Sequence, residues 1–139
     1  MSGEPKLLPI LPEGWTRGAG YAHAVQDPAT GLVLVAGQFG QDPRTGAFAK
    51  DFAAQWKQAL SNVVEVAKTV GRGPDSIMLI RIFVRSLEEY RAARNGVGAV
   101  QREVLGKWFP ATTMVEIGGL VEAEARLEIE AVIRAPAAR

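Results

Sequence analysis

The chain has no cysteine, a single histidine and no apolar run of the roughly 18 residues that a membrane-spanning helix needs. Without cysteine there is no disulfide, no zinc–thiolate site and no thiol nucleophile. With His23 as the only imidazole, a histidine-built metal site or a Ser-His-Asp triad has no support, so metal and cofactor are both expected to be absent. Charge of one sign is missing too. Sixteen basic residues stand against fifteen acidic ones, a net charge of +1 that leaves no electrostatic footprint for nucleic acid. The first twelve residues carry Lys6 and several prolines but no long apolar stretch, so no secretory signal or membrane partner is expected and the cytoplasm is the default compartment.

What is present is ordinary globular material: 139 residues, 47% hydrophobic and 22% charged, the size of one domain with one core. Residues 1–19, with Pro5, Pro9, Pro12, Gly14 and Gly18, read as an extended lead-in. Residues 20–134 read as the single domain, and 135–139 as a tail expected to fray. Tyr21–Val25 is expected as a first strand. The turn Asp27-Pro28-Ala29-Thr30-Gly31 then leads to a buried strand, Leu32–Ala36. Asp51 is a good N-cap, and Phe52, Trp56, Leu60, Val63, Ala67 and Val70 recur at helical spacing before the stop at Gly71. Ile77–Val84 reads as a central strand. Ser86 and Glu89 form a capping-box signature for a second helix. Its apolar stripe runs through Tyr90, Ala93, Val97, Val100, Val104 and Trp108 to a stop at Phe109-Pro110. Strands are expected at Met114–Leu120 and Arg126–Ile133. The order β-β-α-β-α-β-β implies a two-layer α+β sandwich. Its uncovered sheet face would need a neighbouring copy, as in a closed trimer.

Several residues admit two readings. Gly37-Gln38-Phe39-Gly40 is either a strand end or a stretch of backbone left bare for a ligand. Glu116, Glu128 and Glu130 are either a solvated edge or include a general base acting on water. Arg81 and Arg85 either pair with those glutamates or grip an anion. His23 reads as structural.

Taken in order, several segments resemble the Rid, or YjgF-type, family of reactive intermediate deaminases. They are Gly20-Tyr21-Ala22-His23-Ala24, Val35-Ala36-Gly37-Gln38, Asp42-Pro43-Arg44-Thr45-Gly46, Gln55 with Asn62 and Gly71, Ile82-Phe83-Val84, Phe109-Pro110-Ala111 and Leu127-Glu128-Ile129-Glu130-Ala131. The resemblance implies a fold like trimeric chorismate mutase, and homotrimers with small-molecule pockets between subunits. It also implies a carboxylate, here Glu128, that positions water, with Tyr21 and Gly37 retained beside it. Asn95 matches a family asparagine after a one-residue shift.

The departures are specific. Deaminating members carry an arginine after Pro-Ala that holds the substrate carboxylate; this chain has Thr112. The serine before Gly-Gln is Ala36, and the cysteine two positions past the arginine is Met114. Two charge-assisted bonds worth about 1.5–3 kcal/mol each are thereby replaced by one neutral donor. The resemblance therefore implies a divergent branch, whose usual 2-imino acid activity is in doubt. The expected pocket is lined by Tyr21, Ala36, Gly37, Phe83, Thr112, Met114 and Glu128, and Arg94 beside Asn95 could restore an anion site from a neighbouring subunit. Two functions stay open: hydrolysis or deamination of a small reactive substrate, or binding of a small metabolite without turnover. An RNA-cleaving role finds no support in charge or aromatic spacing.

Overall fold

Asp51 starts the first helix. Its carboxylate accepts from the Ala54 N–H at 2.8 Å, satisfying one of the free donors at a helix N-terminus. In the computed structural model, which describes residue 3 and residues 5–136, this helix is α1, Phe52–Thr69. The backbone N–H groups of Gly71 and Arg72 turn back onto the carbonyls of Lys68 and Ala67 and close its end. Six strands make one sheet: β1 (Leu8–Ile10), β2 (Ala24–Asp27), β3 (Leu32–Phe39), β4 (Ile77–Val84), β5 (Ala111–Glu116) and β6 (Leu127–Arg134). Their order across the sheet is β1-β2-β3-β6-β4-β5, antiparallel except for the parallel pair β4–β5. Two further helices, α2 (Leu87–Ala92) and α3 (Arg94–Leu105), form the crossover that a parallel pair needs.

Alternation along the strands decides what the helices cover. Val33 and Val35 of β3, Ile80, Ile82 and Val84 of β4, and Leu127, Ile129, Ala131 and Ile133 of β6 are buried against α1 and α3. Complete burial of such side chains stabilises by roughly 1.5–3 kcal/mol each. The other face carries Leu32, Leu34, Arg81, Phe83, Glu128, Glu130 and Val132, none of them fully buried. The result is the expected α+β arrangement, with one sheet and the helices on one side.

Several boundaries differ from the sequence reading, among them the end of β3, at Phe39 rather than Ala36. The lead-in contributes a short sixth strand, with Leu8 opposite Gln26 and Ile10 opposite Ala24. The next strand starts at Ala24 rather than Tyr21. His23 turns inward there, its Nε2 2.9 Å from the Thr16 carbonyl oxygen, and Gly20 takes a left-handed φ of 82°. The second helix is two. The backbone leaves helical geometry at Ala93, so that α3 packs on α1 through Val97, Val100 and Leu105 while α2 buries no residue. It ends at Gly106, not at Phe109, and Trp108 beyond it donates to the Ile77 carbonyl at 2.8 Å. Finally β5 begins directly after Pro110, three residues earlier than expected, and stops at Glu116, whose carboxylate accepts from the Leu87 N–H at 3.0 Å. Ala135, the first residue of the tail expected to fray, is buried and its N–H bonds the Gly31 carbonyl; residues 137–139 lie outside the described residues. Among the described residues no helix is long and apolar enough to cross a membrane.

Candidate functional site

An irregularity in β3 builds the centre of the uncovered face. Val35 pairs with Ala131 and Gln38 with Ile129, so Ala36 and Gly37 together oppose the single residue Glu130. The extra residue reverses the alternation beyond it. Gln38 turns to the helix side and is 4% exposed, its side-chain amide donating to the Ala36 carbonyl at 3.0 Å, while Phe39 turns to the open face opposite Glu128. On the other side of β6, Phe83 of β4 is also directly opposite Glu128. The carboxylate thus stands between two phenylalanines in cross-strand register. It lies over Gly37: a methyl group built there would be 2.5 Å from Glu128 Cδ, so only glycine leaves the carboxylate its position.

Glu128 is half-buried and has no hydrogen bond or ion pair among the described residues. Burial, and then the neighbouring charge of Glu130, push its carboxyl above the usual range. Glu130, two residues on, differs in one respect: Arg81 across the ladder pairs with it at 3.0 Å. Of the two readings of Arg81, the pairing one is therefore what the fold realises. Arg85 takes neither role; its Nη2 donates to the Glu122 carbonyl at 2.8 Å. The carboxylate of Glu116 is occupied with the Leu87 N–H.

The remaining candidates lie elsewhere. Thr112 and Met114 pair with Ile80 and Ile82, which places them on the helix side of the sheet, and Met114 packs on the core. The Thr112 hydroxyl donates to the Pro110 carbonyl at 2.9 Å. Arg94 and Asn95 open α3 in the helical layer, with the Arg94 guanidinium 5.7 Å from the Tyr90 ring centroid. Tyr21 is exposed in the bend before β2, its ring edge-on to His23 at 5.5 Å. One chain therefore gathers Ala36, Gly37, Phe83 and Glu128 and leaves Thr112, Met114, Arg94 and Asn95 on the opposite side. Phe39 is the residue that sequence reasoning did not single out. Its alternation, counted from Val33, points it into the core unless the bulge is known.

A concavity of about 500 Å³ opens away from Glu128, where the segment 123–126 meets the start of α1. Arg126 crosses it to Glu89 at 2.6 Å, and Gln55 bonds the carbonyls of Ala49 and Glu124. Of the site candidates only Arg85 lines it, with its guanidinium donating to the Glu122 carbonyl. Its polar groups are largely satisfied by one another, as in a structural junction. Among the described residues no group of three or more histidines and carboxylates is placed to hold a metal ion.

Such a sheet, helical on one face and open on the other, with a glutamate in register between two phenylalanines, defines a class of small α+β proteins that leave one sheet face uncovered. Residues 16–135 match the family model described as Endoribonuclease L-PSP. A 2-iminobutanoate/2-iminopropanoate deaminase of Salmonella typhimurium is 33% identical over 101 residues, 73% of this chain and 77% of that protein. A RutC family protein of Haemophilus influenzae is 33% identical over the same share of each chain. Among solved structures, the YjgF gene product of Escherichia coli superposes with a TM-score of 0.79 at 27% identity, over 91% of this chain and 98% of that one. A YjgF/YER057c/UK114 family member from Mycobacterium tuberculosis gives 0.67 at 31% identity, over 84% and 87%. The chain belongs to the YjgF/RutC/Rid family.

Proposed function

We propose that this chain hydrolyses small reactive imines or enamines in a pocket completed by a second copy, with Glu128 as the base that orients water. The observation that carries the reading is the unpaired, half-buried Glu128 carboxylate, held above the usual carboxyl range and flanked by Phe39 and Phe83 over Gly37. A base poised nearer neutrality is suited to accept a proton from water. Water adds to the C=N carbon as its proton passes to Glu128. Return of that proton to nitrogen gives a carbinolamine; transfer of its hydroxyl proton to nitrogen through Glu128, with cleavage of the C–N bond, releases ammonia and leaves a carbonyl. The deaminase names of relatives at about one-third identity support the same reaction class.

Neutral residues where deaminating members carry arginine, serine and cysteine favour a second reading. In this reading Ala36 of one copy, with Thr112 and Met114 of another, lines a pocket that binds a small metabolite without turnover. Ammonia release from a panel of imines separates the two. Turnover of at least one imine is expected, whereas 2-iminopropanoate and 2-iminobutanoate should react on the order of 10²-fold more slowly than with an arginine-bearing relative, because two charge-assisted bonds are missing. Equal rates would refute the weight placed on Thr112. No turnover of any imine would leave the binding reading.

Assembly follows from the same face. Leu32 and Leu34 are exposed on the sheet beside half-buried Val132, and Thr112 and Met114 lie across the sheet from Glu128. A closed trimer that covers the open face would also bring one copy's edge strand β5 towards another's Glu128. Sedimentation equilibrium at micromolar concentration should give three times the chain mass. A stable monomer would remove the intersubunit pocket.

A further inference from the structure

We infer that the ligand at Glu128 is a cation without a carboxylate, an iminium or protonated imine rather than a 2-imino acid. This rests on the imine-hydrolysis reading and narrows its substrate class. Three observations point the same way. First, Glu128 is the one carboxylate on the open face of β6 with no partner among the described residues; its neighbour Glu130 is paired with Arg81 at 3.0 Å. The local charge around an incoming ligand is therefore negative. Secondly, the residues in direct register on both sides of Glu128 are Phe39 and Phe83. Aromatic faces attract cations, and more strongly as water is excluded. Thirdly, among the described residues of one chain no cationic side chain forms an ion pair with the Glu128 carboxylate. Arg81 is paired, Arg85 donates to the Glu122 carbonyl at 2.8 Å, and the Arg94 guanidinium lies 5.7 Å from the Tyr90 centroid in the helical layer.

A carboxylate-bearing substrate would meet like charge here and find no bidentate donor, while its desolvation would go uncompensated. An iminium gains from both the carboxylate and the rings, and its carbon is more electrophilic than that of the neutral imine. The balance is simple. Water adds to the iminium carbon and gives its proton to Glu128, forming a neutral carbinolamine. The proton returns to nitrogen, the C–N bond breaks as the carbonyl forms, and the hydroxyl proton passes to the departing ammonia. The sum is iminium plus water to carbonyl plus ammonium.

The test is titration of the intact protein at neutral pH, followed by calorimetry and by NMR, with three unreactive probes. They are pyrrolidinium, its neutral isostere tetrahydrofuran, and 2-oxobutanoate as the carboxylate-bearing analogue. Pyrrolidinium is expected to bind at least about tenfold more tightly than either of the others, a difference of about 1.4 kcal/mol. Glu128→Gln should abolish that preference without changing the fold. The inference is overturned if 2-oxobutanoate binds as tightly as pyrrolidinium. It is equally overturned if the preference survives Glu128→Gln, or if pyrrolidinium does not bind. A pyrrolidinium preference in a protein that turns over no imine would remove the hydrolase reading and leave the charge preference standing. Turnover of 2-imino acids with weak pyrrolidinium binding would do the reverse.

Discussion

Replacing Glu128 by glutamine is expected to lower imine turnover by about 10²–10⁴-fold, the usual share of a general base, while making the folded chain more resistant to urea at neutral pH. Both effects come from one cause. Burial, and then the charge of Glu130, raise the Glu128 carboxyl above its value in the unfolded chain. Between the ordinary carboxyl range and the raised one, the folded state holds a proton that the unfolded state has lost. Stability is therefore greatest below the unfolded value and declines as pH rises through the window, with the whole loss incurred above the raised value. Glutamine keeps the shape and never ionises. Its advantage should be largest at neutral pH and vanish in acid. For activity the sign is opposite: the working carboxylate disappears as pH falls, so the acid limb of the rate profile should lie above that of an ordinary glutamate. Urea midpoints and turnover measured across pH check both. A glutamine variant that is active, or that is less stable at neutral pH, contradicts the assignment.

Gly40→Ala should be the most damaging single methyl group in the chain, at about 3 kcal/mol or more. An alanine Cβ there would lie 2.5 Å from the Cα of Gln55, which is backbone in the first turn of α1. Gln55 has little room to retreat. It is buried, its amide nitrogen bonds the Ala49 and Glu124 carbonyls at 2.9 and 3.0 Å, and its oxygen accepts from the Arg126 N–H at 2.8 Å. Moving it breaks the tie between α1, the segment after Gly40 and the start of β6. Gly37→Ala is the informative contrast. Its collision is mainly with the end of the Glu128 side chain, which can swing away. That variant should keep most of its stability while losing activity, by on the order of 10²-fold for a displacement near 1 Å. Equal urea midpoints for Gly40→Ala and the parent would show that α1 yields more easily than this packing implies.

Much of the fold is legible in the residue order alone. Asp51, the Phe52–Trp56–Leu60–Val63–Ala67 stripe and the stop at Gly71 describe α1, because capping and helical periodicity are local properties. The strands β4 and β6 were placed within a residue of their ends, since β-branched runs and strict alternation survive in any context that buries one face. Glu128 was identified by its place in a family motif. Its partners were not, because they depend on which residues oppose it across two ladders.

By itself, then, the order of residues determined the long elements, the covered faces of α1, β4 and β6, and the family. The tertiary structure decided the rest, and the reason is the same at each point. One bulge residue at Ala36-Gly37 sends Gln38 inward and Phe39 outward, and no count along β3 announces it. The break at Ala93 and the shift of β5 depend on how α3 packs on α1 and how β5 pairs with β4. That register puts Thr112 and Met114 behind the sheet rather than beside Glu128. A strand's period of two makes every side chain's face hang on a single residue of register, and register is set by contacts between segments far apart in the chain.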